Sequence, residues 1–96
     1  LAGSHTGAGG TIDAFIKLEG PTQERLQRVL LSGDFFVTPP RTVFDLESHL
    51  QGLMLDEVKP AIGDFFASSD IDMLSVTPDD FYASIASALE AGAGHG

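Results

Sequence analysis

The hydrophobic period of this chain changes at Pro39-Pro40, and that change bounds the fold. Upstream, Ile12, Ala14, Ile16 and Leu18 recur at every second residue. Asp13, Lys17 and Glu19 lie between them, with Phe15 on the same polar side. Such alternation makes a half-buried strand over 11–19. GPTQ at 20–23 reads as a turn, with Pro21 fixing φ at a corner. Glu24–Ser32 follows as a second strand whose phase slips, because Leu26 is out of step with Val29 and Leu31. A bulge near Gln27-Arg28 restores the register. The two strands are expected to pair as an antiparallel hairpin. Gly33 is expected to end the second strand, and Asp34–Val37 is a candidate for a brief third. The two prolines then stop any ladder, since they lack the N–H it needs.

Downstream the spacing turns helical. Val43, Leu46, Leu50 and Leu53 recur at three or four residues. Thr42-x-x-Asp45 is the expected start, and Gly52 the left-handed stop. A second helix begins near Leu55-Asp56, capped either by Asp56 or by Lys59 with Pro60 in the first turn. Val58, Ile62, Phe65 and Phe66 form its apolar face, and 68–72 has loop chemistry. Thr77-Pro78-Asp79-Asp80 is the strongest start signal: a Thr cap, Pro at the first position and two carboxylates at the positive end of the helix dipole. Phe81, Ile85 and Leu89 follow on one face, and Gly92 is the expected end. Strands first and helices after predict an α+β fold: a small antiparallel sheet of two or three strands, with about three helices packed on one face.

At 96 residues the chain is one small domain. It is expected over 11–91, between a flexible Gly-rich lead at 1–10 and a flexible tail at 92–96. The absence of cysteine removes disulfide scaffolds, thiolate zinc sites and cysteine nucleophiles, and fits a cytoplasmic protein. No apolar run approaches about 20 residues, and the first residues lack a basic region followed by an apolar core, so neither a signal peptide nor a membrane partner is expected. Leu rather than Met at position 1 is expected of a domain excised from a longer chain.

The net charge of −9 is unevenly spread. Over 1–41, Lys17, Arg25, Arg28 and Arg41 balance Asp13, Glu19, Glu24 and Asp34. Over 42–96, Lys59 alone opposes ten carboxylates. Nucleic acid is not expected as a partner, because binding it demands a basic surface. Any approach to phosphate belongs to the first half. His5, His49 and His95 have no ligand spacing and read as exposed side chains, His5 as a tag remnant. The serines lack a His–Asp partner pattern. Gly7-Ala8-Gly9-Gly10 precedes a strand and lacks the Lys-Ser/Thr of a phosphate loop, so it reads as a hinge or tether.

The tetrapeptide Gly-Asp-Phe-Phe occurs twice, at 33–36 and 63–66. Its flanks differ, strand-like before the first copy and helical around the second, so no internal repeat exists. In the second copy Phe65 and Phe66 read as helix core, and Asp64 as solvent-facing. In the first, one of Phe35 and Phe36 is expected in the core and the other at a partner contact.

The first copy carries a resemblance. Gly9-Gly10-Thr11-Ile12, an alternating strand, Leu-Ser-Gly-Asp-Phe-Phe at 31–36, and a helix with Leu46-Glu47 and Leu50 through Gly52 resemble the C-terminal accessory domain of lipoate–protein ligases, over about residues 9–90. The resemblance implies a fold similar to the sulfur-transfer scaffold proteins of iron–sulfur assembly. It implies an enzyme that uses ATP and Mg to convert lipoate to lipoyl-AMP and then acylates a lysine of a lipoyl domain. A large catalytic domain, fused or on a separate chain, holds the ATP, the lipoate and the catalytic lysine. The accessory domain supports adenylation, moves aside for transfer, and by itself is inactive and holds no cofactor or metal. On this resemblance Gly9, Gly10, Ser32, Gly33, Asp34, Phe35 and Phe36 are expected at the interface with the catalytic domain. Lys17, Arg25, Arg28 and Arg41 are the cations available to face phosphate, and Gly7–Gly10 is expected in the moving connection. The acidic helical half would repel acidic lipoyl domains, making them indirect partners. The alternative is a non-enzymatic scaffold of the same fold acting in sulfur or cofactor assembly; the lack of cysteine argues against a direct sulfur carrier.

Overall fold

The computed structural model describes residues 1–93. Its elements are β1 (Ala2–Gly7), β2 (Gly10–Glu19), β3 (Arg25–Asp34), β4 (Val37–Thr38), α1 (Arg41–Leu50), α2 (Val58–Ser68), β5 (Met73–Leu74) and α3 (Pro78–Ala93). The α+β expectation holds: a three-stranded antiparallel sheet, ordered β1-β2-β3, is followed by three helices.

β2 and β3 form the expected hairpin, and its register shifts where the hydrophobic phase slips. Lys17 lies opposite Arg28, but Leu18 lies opposite Leu26, so Gln27 is the extra residue of a bulge. The bulge lets Leu26, Val29 and Leu31 all point into the core despite their mixed parity.

The third strand is not Asp34–Val37. It is β1, which pairs with β2 across the turn at Ala8-Gly9. The flexible lead expected over 1–10 is therefore a sheet edge. Its lack of apolar periodicity has a steric cause: a Cβ at Gly3 would run into the backbone of Ser87 and Ala88 in α3. The helix lies so close to the strand that the inner face admits only hydrogen there. Gly33 does not end β3, which continues through Asp34. Phe35 and Phe36 then leave the sheet, and β4 pairs with β5 as a separate two-stranded ladder, Val37 opposite Leu74 and Thr38 opposite Met73. The loop expected at 68–72 runs directly into β5.

The helices cover one face of the sheet, with α3 on β1 and β2, α1 on β3, and α2 against both helices. Their start signals fared unequally. Thr77 Oγ1 accepts the Asp80 N–H at 3.2 Å, and the Asp80 carboxylate accepts the Thr77 N–H at 2.9 Å, a reciprocal cap with Pro78 as the first helical residue. Thr42 is not a cap: α1 begins at Arg41, and Thr42 is buried. Neither Asp56 nor Lys59 caps α2, which continues from a 3-10 turn at Leu55–Glu57. There Glu57 Oε1 accepts the Met54 N–H at 2.9 Å. Gly52 does take positive φ, +89°, just beyond α1. α3 runs one residue past the expected stop at Gly92, so the first two residues of the flexible tail expected at 92–96 are helical, and 94–96 lie outside the described residues.

One core fills the space between sheet and helices, built on Ile12, Leu26, Leu46, Leu50, Ile62 and Phe81. Phe81 joins the two Gly-Asp-Phe-Phe copies. Phe35 meets it edge-on at 5.5 Å, and Phe66 stacks on it at 5.4 Å. No helix among the described residues is long and apolar enough to cross a membrane.

Candidate functional site

Of the residues that carry the sequence resemblance, Gly52 lies at the far end of β3, its N–H donating to the Leu26 carbonyl, whereas Gly9, Gly10 and the 31–36 segment converge on one corner of the molecule. β1–β2 turn, β3 end and the segment after β5 meet there, and a single serine ties them. Ser75 Oγ donates to the Gly9 carbonyl at 2.9 Å and accepts the Phe36 N–H at 2.8 Å. The Ser75 N–H donates to the Phe36 carbonyl at 2.9 Å. The glycines are needed because three backbones approach closely. A Cβ at Gly9 would collide with the Ser75 carbonyl, and one at Gly10 with the Asp34 carbonyl. A Cβ at Gly33 would collide with the Thr11 carbonyl, and Gly33 holds φ at +133°, outside the range of L side chains. Glycine is thus required at 9, 10 and 33 by the close approach of neighbouring backbone. The Gly7–Gly10 segment is correspondingly not a moving connection: it is a hairpin turn pinned to Ser75.

The corner divides the two aromatic residues of the motif. Phe35 packs against the core on Phe81. Phe36 is 68% exposed. It borders a shallow groove of about 470 Å³ that also takes in Gly33, Phe35, Val37, Val43 and Phe44, with Phe44 itself 67% exposed. Two such aromatic side chains beside one groove are costly to leave in water, at about 25 cal/mol per Å² of apolar surface, and mark a contact surface. Ser32 lines the groove, and Asp34 is exposed but does not line it. The sequence does not single out Phe44, because helical spacing puts it off the Val43–Leu46–Leu50 stripe, where an aromatic residue looks incidental.

The four cations do not form one phosphate-binding cluster. Lys17 and Arg28 face each other across β2 and β3, Arg25 is opposite Glu19, and Arg41 stands at the start of α1. Among the described residues no group of three or more His, Asp or Glu is gathered to hold a metal ion. These residues do not fit a nucleotide site within this chain.

His5 is neither in a linker nor free. Its Nε2 lies 3.0 Å from Asp80 Oδ1, tying β1 to the cap of α3. The Asp80 carboxyl is held below the usual carboxylate range, chiefly by the Thr77 backbone N–H, with partial burial opposing and His5 and the Thr77 hydroxyl adding to it. This contact stitches the sheet edge to the helix and leaves His5 and Asp80 to structure.

No family model and no curated protein matches the chain. Among solved structures the chain is similar to one from an archaeal lipoylation system, a bipartite lipoate protein ligase and its E2 lipoyl domain from Thermoplasma acidophilum, at 26% identity and a TM-score of 0.76 over 88% of this chain and 91% of that chain.

Proposed function

We propose that this chain is a component of a lipoylation system, the accessory part of a lipoate–protein ligase, acting in the cytoplasm. In this role it has no reaction centre of its own. It docks a large catalytic domain, fused or separate, and supports the ATP-dependent conversion of lipoate to lipoyl-AMP. ATP, Mg and lipoate would be held by that catalytic domain. The observation that carries the proposal is the likeness to a bipartite lipoate protein ligase system, which spans nearly all of both chains. The serine-tied corner supplies the surface: Ser75 holds the Phe36 backbone and leaves its ring outward beside Phe44, where closure over the catalytic domain would exclude water from the reacting groups.

That bipartite ligase is described together with its E2 lipoyl domain, and on the family resemblance a lipoyl domain is the acceptor. The lysines of this chain favour the ligase side. An acceptor must push its ammonium group into another protein's active site. Lys17 lies within β2 opposite Arg28, and Lys59 lies in the first turn of α2 with its ammonium 5.5 Å from the Tyr82 ring centroid. Neither stands at a turn. No observation favours the scaffold alternative.

The test adds this chain in trans to its catalytic chain and measures lipoate-dependent pyrophosphate exchange. Exchange should rise with added chain, and the mass of this chain should stay unchanged. No gain in exchange overturns the accessory role; a lipoyl adduct on Lys17 or Lys59 makes the chain an acceptor instead.

A further inference from the structure

Phe36 leaves the sheet with little to hold it. The β4–β5 ladder that follows is two residues long, and a ladder so short is marginal in water. Phe35, on the other side, is anchored on Phe81. Between them the Phe36 backbone meets Ser75, which extends the ladder in an unusual way. Directly paired antiparallel residues normally exchange two backbone bonds. Ser75 gives one of them, its N–H to the Phe36 carbonyl at 2.9 Å. The return bond ends on the Ser75 hydroxyl, which accepts the Phe36 N–H at 2.8 Å in place of the Ser75 carbonyl. That carbonyl lies against Gly9 instead. The same hydroxyl donates to the Gly9 carbonyl at 2.9 Å, so its proton and one lone pair are both committed, and each bond polarises the other. Ser75 is itself fixed: Leu74 packs on the core, Val76 is buried, and Thr77 caps α3 two residues on.

We infer that Ser75 is the positioning residue of this corner: its hydroxyl fixes the backbone that carries Phe36, and so sets how well this chain engages the catalytic chain. The inference rests on the accessory role above, which puts Phe36 at the contact. A ring as exposed as that of Phe36 has few neighbours to direct it, so its direction comes from its backbone. A contact residue held in place before docking loses less freedom on docking, and affinity gains accordingly. Both bonds to the Ser75 hydroxyl are solvent-exposed. Water replaces them when the hydroxyl is removed, so the fold as a whole loses little while Phe36 loses its fixed place. No local pattern marks Ser75, whose two partners lie 39 and 66 residues away.

Amide hydrogen exchange, read residue by residue by NMR on the wild type, Ser75→Ala and Ser75→Thr, tests the placement without any partner. In Ser75→Ala the Phe36 amide should exchange about fivefold faster or more, the weight of one net hydrogen bond, while the Ile85 amide in α3 stays nearly unchanged. Ser75→Thr keeps the hydroxyl and should match the wild type. Lipoate-dependent pyrophosphate exchange by the catalytic chain is then titrated with each variant, with Phe36→Ala and with Phe36→Ala/Ser75→Ala. Ser75→Ala should raise the concentration of this chain at half-maximal rate about threefold or more and leave the saturating rate unchanged, because fewer chains hold Phe36 in place. In the Phe36→Ala background Ser75→Ala should have no further effect, since the residue it positions is gone. The inference is overturned, with the accessory role left standing, by an unchanged Phe36 amide or an unchanged half-maximal concentration in Ser75→Ala. A full effect of Ser75→Ala on top of Phe36→Ala, a lowered saturating rate in its place, or a Ser75→Thr that behaves as Ser75→Ala overturns it equally. Absence of any gain in exchange with the wild-type chain overturns the accessory role itself, and with it the coupling of Ser75 to the catalytic chain.

Discussion

The two copies of Gly-Asp-Phe-Phe should answer the same substitution with opposite signs. Gly63 lies in α2, exposed, and a Cβ there meets nothing within 4 Å. Ala is the better helix former by about 1 kcal/mol, so Gly63→Ala should stabilise by about that amount. Gly33 lies inside β3 at φ +133°, where a Cβ would run into the Thr11 carbonyl. The backbone conformation alone costs an L residue about 1–2 kcal/mol. Relief of the collision requires β2 and β3 to part at Ile12–Gly33, with the loss of at least one ladder hydrogen bond, about 1 kcal/mol. Gly33→Ala should therefore destabilise by about 3 kcal/mol, a large share of the roughly 5–10 kcal/mol a domain of this size holds. At about 4–8 °C per kcal/mol, its melting temperature should fall by about 12 °C or more, while that of Gly63→Ala rises by about 4–8 °C. Gly20 separates the two terms, since it has φ +95° and nothing within 4 Å. Gly20→Ala should show the conformational cost alone, about 1–2 kcal/mol. Thermal and urea melts followed by circular dichroism measure all three. If Gly33→Ala costs no more than Gly20→Ala, the backbone collision is not what demands glycine at 33. If Gly63→Ala destabilises, the solvent-facing placement of α2 at that residue is wrong.

Other outcomes are accessible with the same material. In lipoate-dependent exchange with the catalytic chain, Asp34→Ala should lower the rate several-fold, whereas Asp64→Ala, on the outer side of α2, should leave it unchanged; equal effects would detach function from the Phe36 corner. Glu47 Oε2 accepts the Leu31 N–H at 2.6 Å, so Glu47→Ala should cost about 1–2 kcal/mol in urea unfolding, and Glu47→Gln less, because the amide still offers an acceptor. Asp80 has a depressed folded pKa, so its contribution is complete above the unfolded carboxylate range near pH ~4 and is lost as pH falls through the folded value. Stability of the wild type should therefore drop more steeply below pH ~4 than that of Asp80→Asn; parallel curves would remove Asp80 from the acid response.

The readings that succeeded rest on local physics. Alternation at 12–18, the phase slip at Leu26 and the Thr77-Pro78-Asp79-Asp80 start are each contained within a few residues, and the structure shows a strand, a bulge and a capped helix there. Two local signals misled. Thr42 has the chemistry of a cap but is buried, because α1 starts one residue earlier, at Arg41. His5 looked free because nothing near it in sequence could hold it, whereas its partner Asp80 is 75 residues away.

Alternation and helical spacing in the amino-acid order were enough to specify an α+β chain with strands before helices, since both are periods of a single segment. The order also marked Gly33-Asp34-Phe35-Phe36 as different from its copy, through its flanks. Contacts between segments decided the rest. Ala2–Gly7 is a strand because it pairs along β2, and glycine is required at 3 because α3 lies against it. Of the adjacent Phe35 and Phe36, alike in chemistry, one was drawn onto Phe81 and the other held outward by Ser75. Lys17 and Arg28 became neighbours through the β2–β3 register alone. Each of these outcomes depends on a distance between residues far apart in the chain, which no local pattern encodes.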